Sequence, residues 1–428
     1  MEKGLVSVDR WTEGSQVYFL THLHADHTQG LTSRWARGPL FCSRLTSELF
    51  PSKFSDFDFS LLRVMDIGVW HSISLVSPSS GSQAVLQVMA IDAHHCPGAV
   101  MFLFRGDFGC ILYTGDFRWE AESKQTKIGR TMLLNALEDD NVDILYLDNT
   151  YCNPSFDFPP REVAAKQVVD IIASHPDHDI IIGIDTLGKE DLLLHISQAL
   201  KIKIWVWPER LETMHLLGFH DIFTTKTSLT RVRAVPRYSF SIETLEGLNT
   251  MRPTIGIMPS GLPWVVKPTK GDDNLFYSFS THLKKGKLSE KDGTWTDKLN
   301  GSVVGRFHQY IYSVPYSDHS CFAEIKEFIE LVQPTSMKGI VSASSCYTDP
   351  LYYFGKLCGA NQLSKRFCYK LGSKDGDERA VAVQTKYYSG HSSSTKATSK
   401  RRRGRMNWVM AVRRAHRGAK IEENDSSD

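Results

Sequence analysis

A run of six residues, His22-Leu-His-Ala-Asp-His27, constrains this chain more than any other stretch of its sequence. It places three histidines and one aspartate directly after a strand-like segment, Val17 to Thr21. Imidazole and carboxylate groups are the ligands that borderline cations such as zinc prefer. Four such side chains are costly to cluster without a cation, so the run predicts a metal site rather than a capped helix.

Side chains with the same chemistry follow two other predicted strands. His94 and His95 follow one of them, and Asp116 follows the next, after Gly115. A glycine allows the backbone to turn sharply, so Asp116 can project from the strand end, where one carboxylate can bridge two ions. We expect His95 to be a ligand and His94 to have a supporting role.

The composition predicts a folded intracellular protein that is larger than one average domain. Its 428 residues, 41% hydrophobic and 23% charged, are enough for a sizeable core and more than one average domain. No apolar run approaches the ~20 residues of a membrane span, and the first ten residues lack an apolar signal core. The eight cysteines form no CxxC pair, which predicts free thiols in a reducing compartment.

The pattern of strands and helices changes near residue 155. Strand-like segments dominate before it, which is typical of a sandwich. Strands and helices then alternate, which predicts a parallel, doubly wound subdomain inserted into the sandwich. The predicted helices are 161–174, 189–200, 208–217 and 320–332, and the strands between them are 180–184 and 202–207.

The C-terminal tail concentrates positive charge. From His391 to Asp428 it carries ten Lys and Arg against four Asp and Glu, a net of +6, which leaves −4 for the rest of the chain. Its Ser- and Lys-rich composition predicts disorder. The basic segment Lys400–Arg403, followed by Arg405, predicts binding to the nuclear import machinery and contact with phosphates.

Several of these segments carry a family resemblance. The order of the histidines and aspartates resembles that of the metallo-β-lactamase superfamily. Leu147–Cys152 and Pro315–Ser320 resemble the first two motifs of its β-CASP nucleases, and His95–Ala99 and Tyr113–Arg118 are similar to the DNA cross-link repair branch of that group. The resemblance covers about residues 1–370 and leaves out the tail.

The resemblance implies an α/β fold, a metallo-β-lactamase αββα sandwich with an inserted α/β β-CASP subdomain. Residues 1–155 are expected to form the first segment of the sandwich, and residues 156–312 the insertion. Residues 313–372 are expected to complete the sandwich, and residues 373–428 to form a disordered basic tail.

The resemblance also implies two ions between the sheets. The first would be bound by His22, His24, His95 and Asp116. The second would be bound by Asp26, His27, Asp116 and His319. Asp9 and Asp148 would orient ligands, and the expected catalytic residues are Asp9, Asp26, Asp116, Asp148 and His319.

We expect zinc in one or both positions, with manganese or magnesium as alternatives in the second. Two ions about 4 Å apart would lower the pKa of a shared water towards ~7 and stabilise an in-line attack of hydroxide on a phosphodiester. Asp26 could orient that nucleophile, and Asp116 could hold the ions together.

The resemblance favours DNA over RNA as substrate. RNA-cleaving members carry a third-motif histidine, but no histidine occurs between His319 and His391, and Val341 takes the position where DNA-acting members have valine. No cysteine lies between Cys152 and Cys321, so the extra zinc site of the endonuclease type cannot form in the insertion. A 5′-to-3′ exonuclease acting on 5′-phosphorylated ends in DNA repair is therefore expected, with structure-specific endonuclease cutting left open.

Two groups of residues are expected to contact the nucleic acid. Ser317 and Ser320, where a helix is expected to start, could offer hydroxyls and amides to a 5′-phosphate. Lys189, Lys284 and Lys285 could contact the DNA backbone, although lysines of this kind are often only solvated.

Two other functions remain open at the level of sequence. A small-molecule hydrolase could use the same ions on an ester or amide, although the large insertion is then unexplained. A DNA-binding scaffold with a defunct site is the non-enzymatic alternative. The expected partner is DNA, the expected location is the nucleus, no membrane association is expected, and the oligomeric state is open.

Overall fold

The computed structural model describes residues 6–77, 81–138, 140–261, 305–341, 348–359 and 419–421. Within these ranges, no helix combines the length and the apolar character that a membrane crossing requires. The predicted DNA contacts Lys284 and Lys285 lie outside the described residues, as does the basic segment Lys400–Arg403.

The first layer of the sandwich is a five-stranded sheet. Its strands are β1 (Val6–Val8), β2 (Val17–Phe19), β3 (Leu40–Ser43), β4 (Leu62–Met65) and β18 (Ala419–Ile421). Strands β1 to β4 run parallel, and β18 pairs antiparallel with β1 at the sheet edge. The prediction of a disordered tail is therefore wrong for the three residues of β18, because their backbone pairs with β1.

The second layer is a six-stranded mixed sheet in the order β17-β9-β8-β7-β6-β5. Its strands are β5 (Trp70–Val76), β6 (Gln83–Asp92), β7 (Val100–Gly106), β8 (Gly109–Tyr113), β9 (Ile144–Leu147) and β17 (Ser336–Gly339). Along β7, Phe102 and Phe104 pack between the two sheets, whereas Met101 and Leu103 pack on the outer face. This period of two is what a strand buried on both faces requires.

Helices cover the outer faces of both sheets. They are α1 (Arg44–Lys53), α2 (Lys124–Leu137), α7 (Phe322–Val332) and the short α8 (Pro350–Phe354). Leu49 and Phe50 of α1 pack in the cluster outside the first sheet, and Leu133 of α2 and Phe328 of α7 pack outside the second. The layers therefore follow the order αββα, and the expected fold class is confirmed.

The inserted subdomain contains a seven-stranded sheet in the order β12-β11-β13-β10-β14-β16-β15. Its strands are β10 (Asp179–Ile184), β11 (Ile204–Trp205), β12 (Phe223–Thr224), β13 (Val232–Pro236), β14 (Thr254–Pro259), β15 (Gly305–His308) and β16 (Ile311–Val314). All neighbouring pairs are parallel except β15 with β16. The expected division at residue 312 falls inside β16, and the domain boundaries remain predictions.

Helices pack on both faces of this third sheet. They are α3 (Arg161–Ala173), α4 (Glu190–Leu200), α5 (Pro208–Leu216) and α6 (Ile242–Asn249). Ile180 and Ile182 of β10 face the cluster that contains α3 to α5, whereas Ile181 faces the cluster that contains α6. The subdomain is thus doubly wound, and the predicted helices in this region differ from the observed ones by one residue at an end.

Candidate metal centre

The candidate metal ligands follow strand ends in both parts of the molecule. The histidine run follows β2, His95 follows β6 and Asp116 follows β8, all in the sandwich. His319 follows β16, which belongs to the sheet of the inserted subdomain. The carboxyl ends of these strands meet, so the site lies where the sandwich contacts the insertion.

Three histidines, which we call the trio, bring one nitrogen each to the same point. His22 Nε2 lies 3.0 Å from His24 Nδ1, and His24 Nδ1 lies 3.0 Å from His95 Nε2. Asp116 Oδ2 lies 3.9 Å from His22 Nε2 and 3.8 Å from His95 Nε2. Four ligands at ~2.0 to 2.1 Å from a tetrahedral zinc ion would be roughly 3.3 Å apart, so these atoms fit around one cation.

The outer nitrogens of two trio rings bind backbone carbonyls. His24 Nε2 donates to the Leu187 carbonyl at 2.9 Å, and His95 Nδ1 donates to the Asp318 carbonyl at 2.8 Å. Because a carbonyl only accepts, the proton of each neutral ring lies on its outer nitrogen. His24 Nδ1 and His95 Nε2 therefore face each other with lone pairs, an arrangement that is repulsive unless a cation lies between them.

The third ring of the trio is oriented by a hydroxyl group. Thr21 Oγ1 donates to Asp9 Oδ2 at 2.7 Å, which leaves it to accept from His22 Nδ1 at 3.0 Å. His22 Nε2 then also carries a lone pair towards the centre. Hydrogen bonds to the far nitrogen are the usual way in which proteins orient metal-binding histidines.

Burial keeps the trio neutral. It lowers the pKa of His22 well below 6.5 and that of His95 to about 3, with neighbouring imidazoles adding to both effects. Burial also lowers the pKa of His24. The unprotonated imidazole is the form that binds a metal, so these rings are prepared for a cation at neutral pH.

Asp116 lies between the trio and two further histidines. Its Oδ1 is 3.3 Å from His27 Nε2, and its Oδ2 is 3.9 Å from His319 Nε2. The preceding Gly115 has φ 54°, and a Cβ there would lie 2.9 Å from Thr21 Cβ, so the turn requires glycine. One buried carboxylate can therefore contact cations on both sides.

Asp9 and Asp26 flank His27 in different environments. Asp9 Oδ2 accepts from His27 Nδ1 at 2.7 Å, and this buried pair directs His27 Nε2 towards Asp116. Burial opposes a charge on His27, but the carboxylates of Asp116 and Asp9 outweigh it and raise its pKa to about 10. Asp26 is 42% exposed, with Oδ2 4.0 Å from His27 Nε2, so it faces the side that a substrate can reach.

His319 is oriented in the same way from the other side. Its Nδ1 lies 2.8 Å from Asp148 Oδ2, which leaves Nε2 facing Asp116. The other oxygen of Asp148 accepts from the backbone N–H and the hydroxyl of Thr150 at 3.0 and 2.6 Å. The structure therefore brings all seven predicted ligands together. Asp9 and Asp148 bind the outer nitrogens of His27 and His319.

The comparisons with known proteins agree with this geometry. A profile of the DNA repair metallo-β-lactamase family matches residues 219–345. The chain is 36% identical over 346 residues to the 5′ exonuclease Apollo of Gallus gallus, covering 80% of this chain and 63% of that protein. It is 34% identical over 364 residues to the 5′ exonuclease Apollo of Danio rerio, covering 84% and 54% of the two chains. The match places residues 219–345 in the DNA repair metallo-β-lactamase family, and the similarity to the two exonucleases extends over most of the chain.

A plant relative gives the same result. The chain is 34% identical over 333 residues to the DNA cross-link repair protein SNM1 of Arabidopsis thaliana, covering 75% of this chain and 60% of that protein. The chain thus spans between 54% and 63% of the length of these three relatives. The resemblance drawn from the motifs is confirmed, and membership of a metallo-β-lactamase family implies a divalent metal at the His and Asp cluster.

Two cationic side chains, Arg118 and Lys53, support the site but carry no sequence signal of that role. Arg118 is fully buried, and its Nη1 donates to the Ser317 carbonyl at 3.0 Å while its Nε donates to Glu324 at 3.1 Å. Lys53 of α1 donates to the Leu23 carbonyl at 2.6 Å. Arg118 therefore fixes the loop before His319, and Lys53 fixes the histidine run.

Cys96 also lies beside the trio. Its Sγ is within 4.8 Å of one ring nitrogen of each of His22, His24 and His95. Burial raises the pKa of this thiol well above 9, so it is neutral at pH 7 and is a weaker ligand than the imidazoles. From the sequence, Cys96 is predicted only to be a free thiol. The structure places it at the edge of the metal centre.

Lys189 does not lie where a DNA backbone contact is expected. Its side chain is 7% exposed, and its Nζ lies 2.9 Å from Asp318 Oδ2 and 3.2 Å from Asp185 Oδ2. Two carboxylates satisfy this ammonium group inside the protein. The predicted phosphate contact therefore does not hold for Lys189, because its charge is used in an internal ion pair.

The two predicted phosphate-binding serines also have internal partners. Ser317 Oγ donates to the His319 carbonyl at 2.9 Å, and Ser320 Oγ accepts from the Trp119 N–H at 2.9 Å. Both side chains are buried. Helix α7 begins at Phe322 rather than at Ser320, so these hydroxyls shape the loop around His319 and do not form the expected anion pocket.

Val341 lies next to the segment that carries Asp148. Its N–H donates to Asn149 Oδ1 at 2.9 Å, and its carbonyl accepts from Asn149 Nδ2 at 3.2 Å. Gly339 packs on the same amide, since a Cβ there would lie 2.6 Å from Asn149 Nδ2. The contact with Asn149 thus explains why a glycine occupies position 339. The assignment of Val341 as the third motif remains a prediction.

Asp9→Asn should weaken the binding of a divalent metal by about 10- to 100-fold, the usual effect of losing a group that orients a ligand. The amide can donate to His27 Nδ1 and so favour the ring form with its proton on Nε2, which faces Asp116. Competition with a chromophoric zinc chelator measures the affinity. The exposed Asp107→Asn is the matched control, and equal affinity in both variants would contradict the role given to Asp9.

Proposed function

We propose that this chain is a divalent-metal-dependent DNA nuclease that degrades 5′-phosphorylated DNA ends in the 5′-to-3′ direction during DNA repair. The observation that carries the proposal is the convergence of the trio's lone pairs beside Asp116, whose carboxylate also faces His27 and His319. The relatives support the substrate, since two are named 5′ exonucleases and one a DNA cross-link repair protein.

We assign the ligands to two positions. The first is formed by His22, His24, His95 and Asp116. The second is formed by Asp26, His27, Asp116 and His319. The nitrogen-rich first set suits zinc, whereas the second set has two carboxylates and suits zinc, manganese or magnesium.

The protein's own role in the chemistry is positioning and proton handling. A bound divalent cation supplies Lewis-acid stabilisation of phosphate oxygens and a lowered water pKa. Asp26 lies on the exposed side of His27, so its Oδ2 is placed to accept a hydrogen bond from the attacking water. Asp9 and Asp148 bind Nδ1 of His27 and His319, which turns the Nε2 atom of each ring towards Asp116.

The inserted subdomain favours a polymeric substrate over a small one. Its strand β16 leads directly to His319, and its Leu187 carbonyl binds the His24 ring, whereas a small ester would need no second subdomain. A structure-specific DNA endonuclease remains the second candidate function, because the site itself does not distinguish an end from a flap. The small-molecule hydrolase is the weaker alternative.

Arg237 is our candidate for a DNA backbone contact. It is exposed, and it follows β13, whose Pro236 lies opposite Ile184 at the end of β10. Burial raises the pKa of Tyr151 to about 12 against the opposing charge of Arg237, so Arg237 lies within electrostatic reach of that ring. The Tyr151 ring in turn lies 5.9 Å from the His319 ring, and on this basis we propose that Arg237 lies near the path of the DNA to the metal centre.

The first test is a ladder assay on 3′-labelled single-stranded DNA that carries either a 5′-phosphate or a 5′-hydroxyl. We expect stepwise shortening from the phosphorylated 5′ end, and Asp116→Asn should reduce it below detection because both metal positions lose a ligand. Internal cuts would favour the endonuclease. Consumption of a thioester panel with intact DNA would instead favour the small-molecule hydrolase.

Arg237→Gln should weaken DNA binding and reduce the slope of log affinity against log salt concentration by about one, the effect of removing one phosphate contact. The turnover rate at saturating DNA should change little, since Arg237 does not touch the metal ligands. Arg63→Gln, an exposed arginine on β4, is the matched control. An unchanged salt slope would remove Arg237 from the DNA path.

We propose a nuclear location through the basic segment Lys400–Arg403. A fluorescently tagged chain should accumulate in the nucleus, and alanine at these four positions should at least halve the nuclear share in quantitative microscopy. Alanine at the surface residues Lys124 and Lys127 is the control for loss of charge. Nuclear accumulation that survives the four substitutions would show that another signal acts.

A further inference from the structure

One turn of the inserted subdomain, Asp185 to Lys189, reaches the trio. The Leu187 carbonyl accepts from His24 Nε2 at 2.9 Å. The Leu187 side chain, 7% exposed, belongs to the apolar cluster outside the first sheet together with Leu23 and Phe50. A single residue of the insertion therefore orients a ring of the trio and packs in the apolar cluster between the first sheet and α1.

The same turn acts on a second ring through Asp318. Lys189 Nζ holds the Asp318 carboxylate at 2.9 Å, and the Asp318 carbonyl accepts from His95 Nδ1 at 2.8 Å. Gly188 has φ 102°, and a Cβ there would lie 3.2 Å from Asp318 Oδ2. Glycine thus allows the turn to approach Asp318 closely.

Arg210 of α5 and Glu190 of α4 hold this turn in place. Arg210 of α5 is buried, and its Nη2 donates to the Gly188 carbonyl at 2.8 Å and to Glu190 Oε1 at 2.7 Å. Its Nη1 donates to the Thr186 carbonyl, and Glu190 Oε1 also accepts from the Gly188 N–H at 2.9 Å. These contacts fix the turn to helices α4 and α5 of the inserted subdomain.

We propose that the Leu187–Lys189 turn is a built-in component of the metal centre, so that metal binding and docking of the inserted subdomain on the sandwich are coupled. This inference rests on the proposed metal positions. The turn keeps the protons of His24 and His95 on their outer nitrogens, as the bound metal requires. Coupling between two binding events is reciprocal, so the metal also stabilises the docked subdomain.

Removing Lys189 alone would be a poor test of this coupling. The loss of one positive charge leaves Asp318 uncompensated beside the trio, and that negative charge attracts a cation. The gain in attraction would mask a loss of positioning. The variants below therefore leave the net charge of the site unchanged.

Leu187→Ala removes the anchor of the turn without changing its charge. We expect a loss of zinc affinity of about tenfold or more, measured by competition with a chelator at a temperature where circular dichroism shows the folded chain. The matched control is Leu216→Ala, a half-exposed leucine of the same subdomain, which should bind zinc as the native chain does. Native affinity in Leu187→Ala would overturn the proposal.

The double variant Lys189→Met with Asp318→Asn removes one charge of each sign. We expect zinc affinity to fall about tenfold or more, because the Asp318 carbonyl then loses the ion pair that fixes it. Lys326→Met with Glu330→Gln removes a similar pair on the surface of α7 and should have no effect. Equal affinities in the two double variants would also overturn the proposal.

Hydrogen exchange measures a second quantity, the local protection of the turn by zinc, which is compared with and without the metal in each variant. Zinc should slow exchange of the backbone amides of 186–190 in the native chain, and this protection should be smaller in Leu187→Ala at saturating zinc. Absence of zinc protection in a native chain that binds zinc would contradict the coupling. A native chain that binds no divalent metal would instead contradict the proposed function itself, so the two failures are distinguishable.

Discussion

Repulsion between unprotonated imidazole nitrogens is the constraint on which the rest of this structure depends. His22, His24 and His95 are buried and neutral, and each uses its outer nitrogen in a hydrogen bond that forces a lone pair inwards. Three lone pairs within hydrogen-bond distance have no protons to share. The fold therefore holds a geometry that only a cation relaxes, which explains why so many supporting contacts converge on these rings.

Much of the architecture follows from local sequence signals. The helical spacing of apolar residues and the double proline before Arg161 predict α3 and its neighbours closely, because these elements bury one clear face. Helices α1 and α2 escape prediction for physical reasons. Pro51 lies inside α1, and the first half of the buried side of α2 uses Thr126 and Gly129, so apolar residues mark only its second half.

The sequence likewise identifies some groups of the candidate site and misses others. Side chains that contact a cation are chemically distinctive, so the run from His22 to His27 identifies them without a structure. The groups that orient them are backbone carbonyls such as that of Leu187, and a carbonyl has no residue signature. Lys189 and Ser317 are misassigned for the opposite reason, because a polar residue next to a site looks the same in sequence whether it faces solvent or is buried.

The buried ion pairs of the insertion are better understood as devices of geometry than of stability. Taking Lys189 with Asp318, or Arg210 with Glu190, out of water costs roughly what their attraction returns, and an apolar pair of similar volume is often as stable. An apolar pair, however, would not fix the direction of the Asp318 or Gly188 carbonyl. Because an imidazole presents its lone pair correctly only if its outer acceptor is correctly placed, the chain needs directional contacts here, and charged hydrogen bonds supply them.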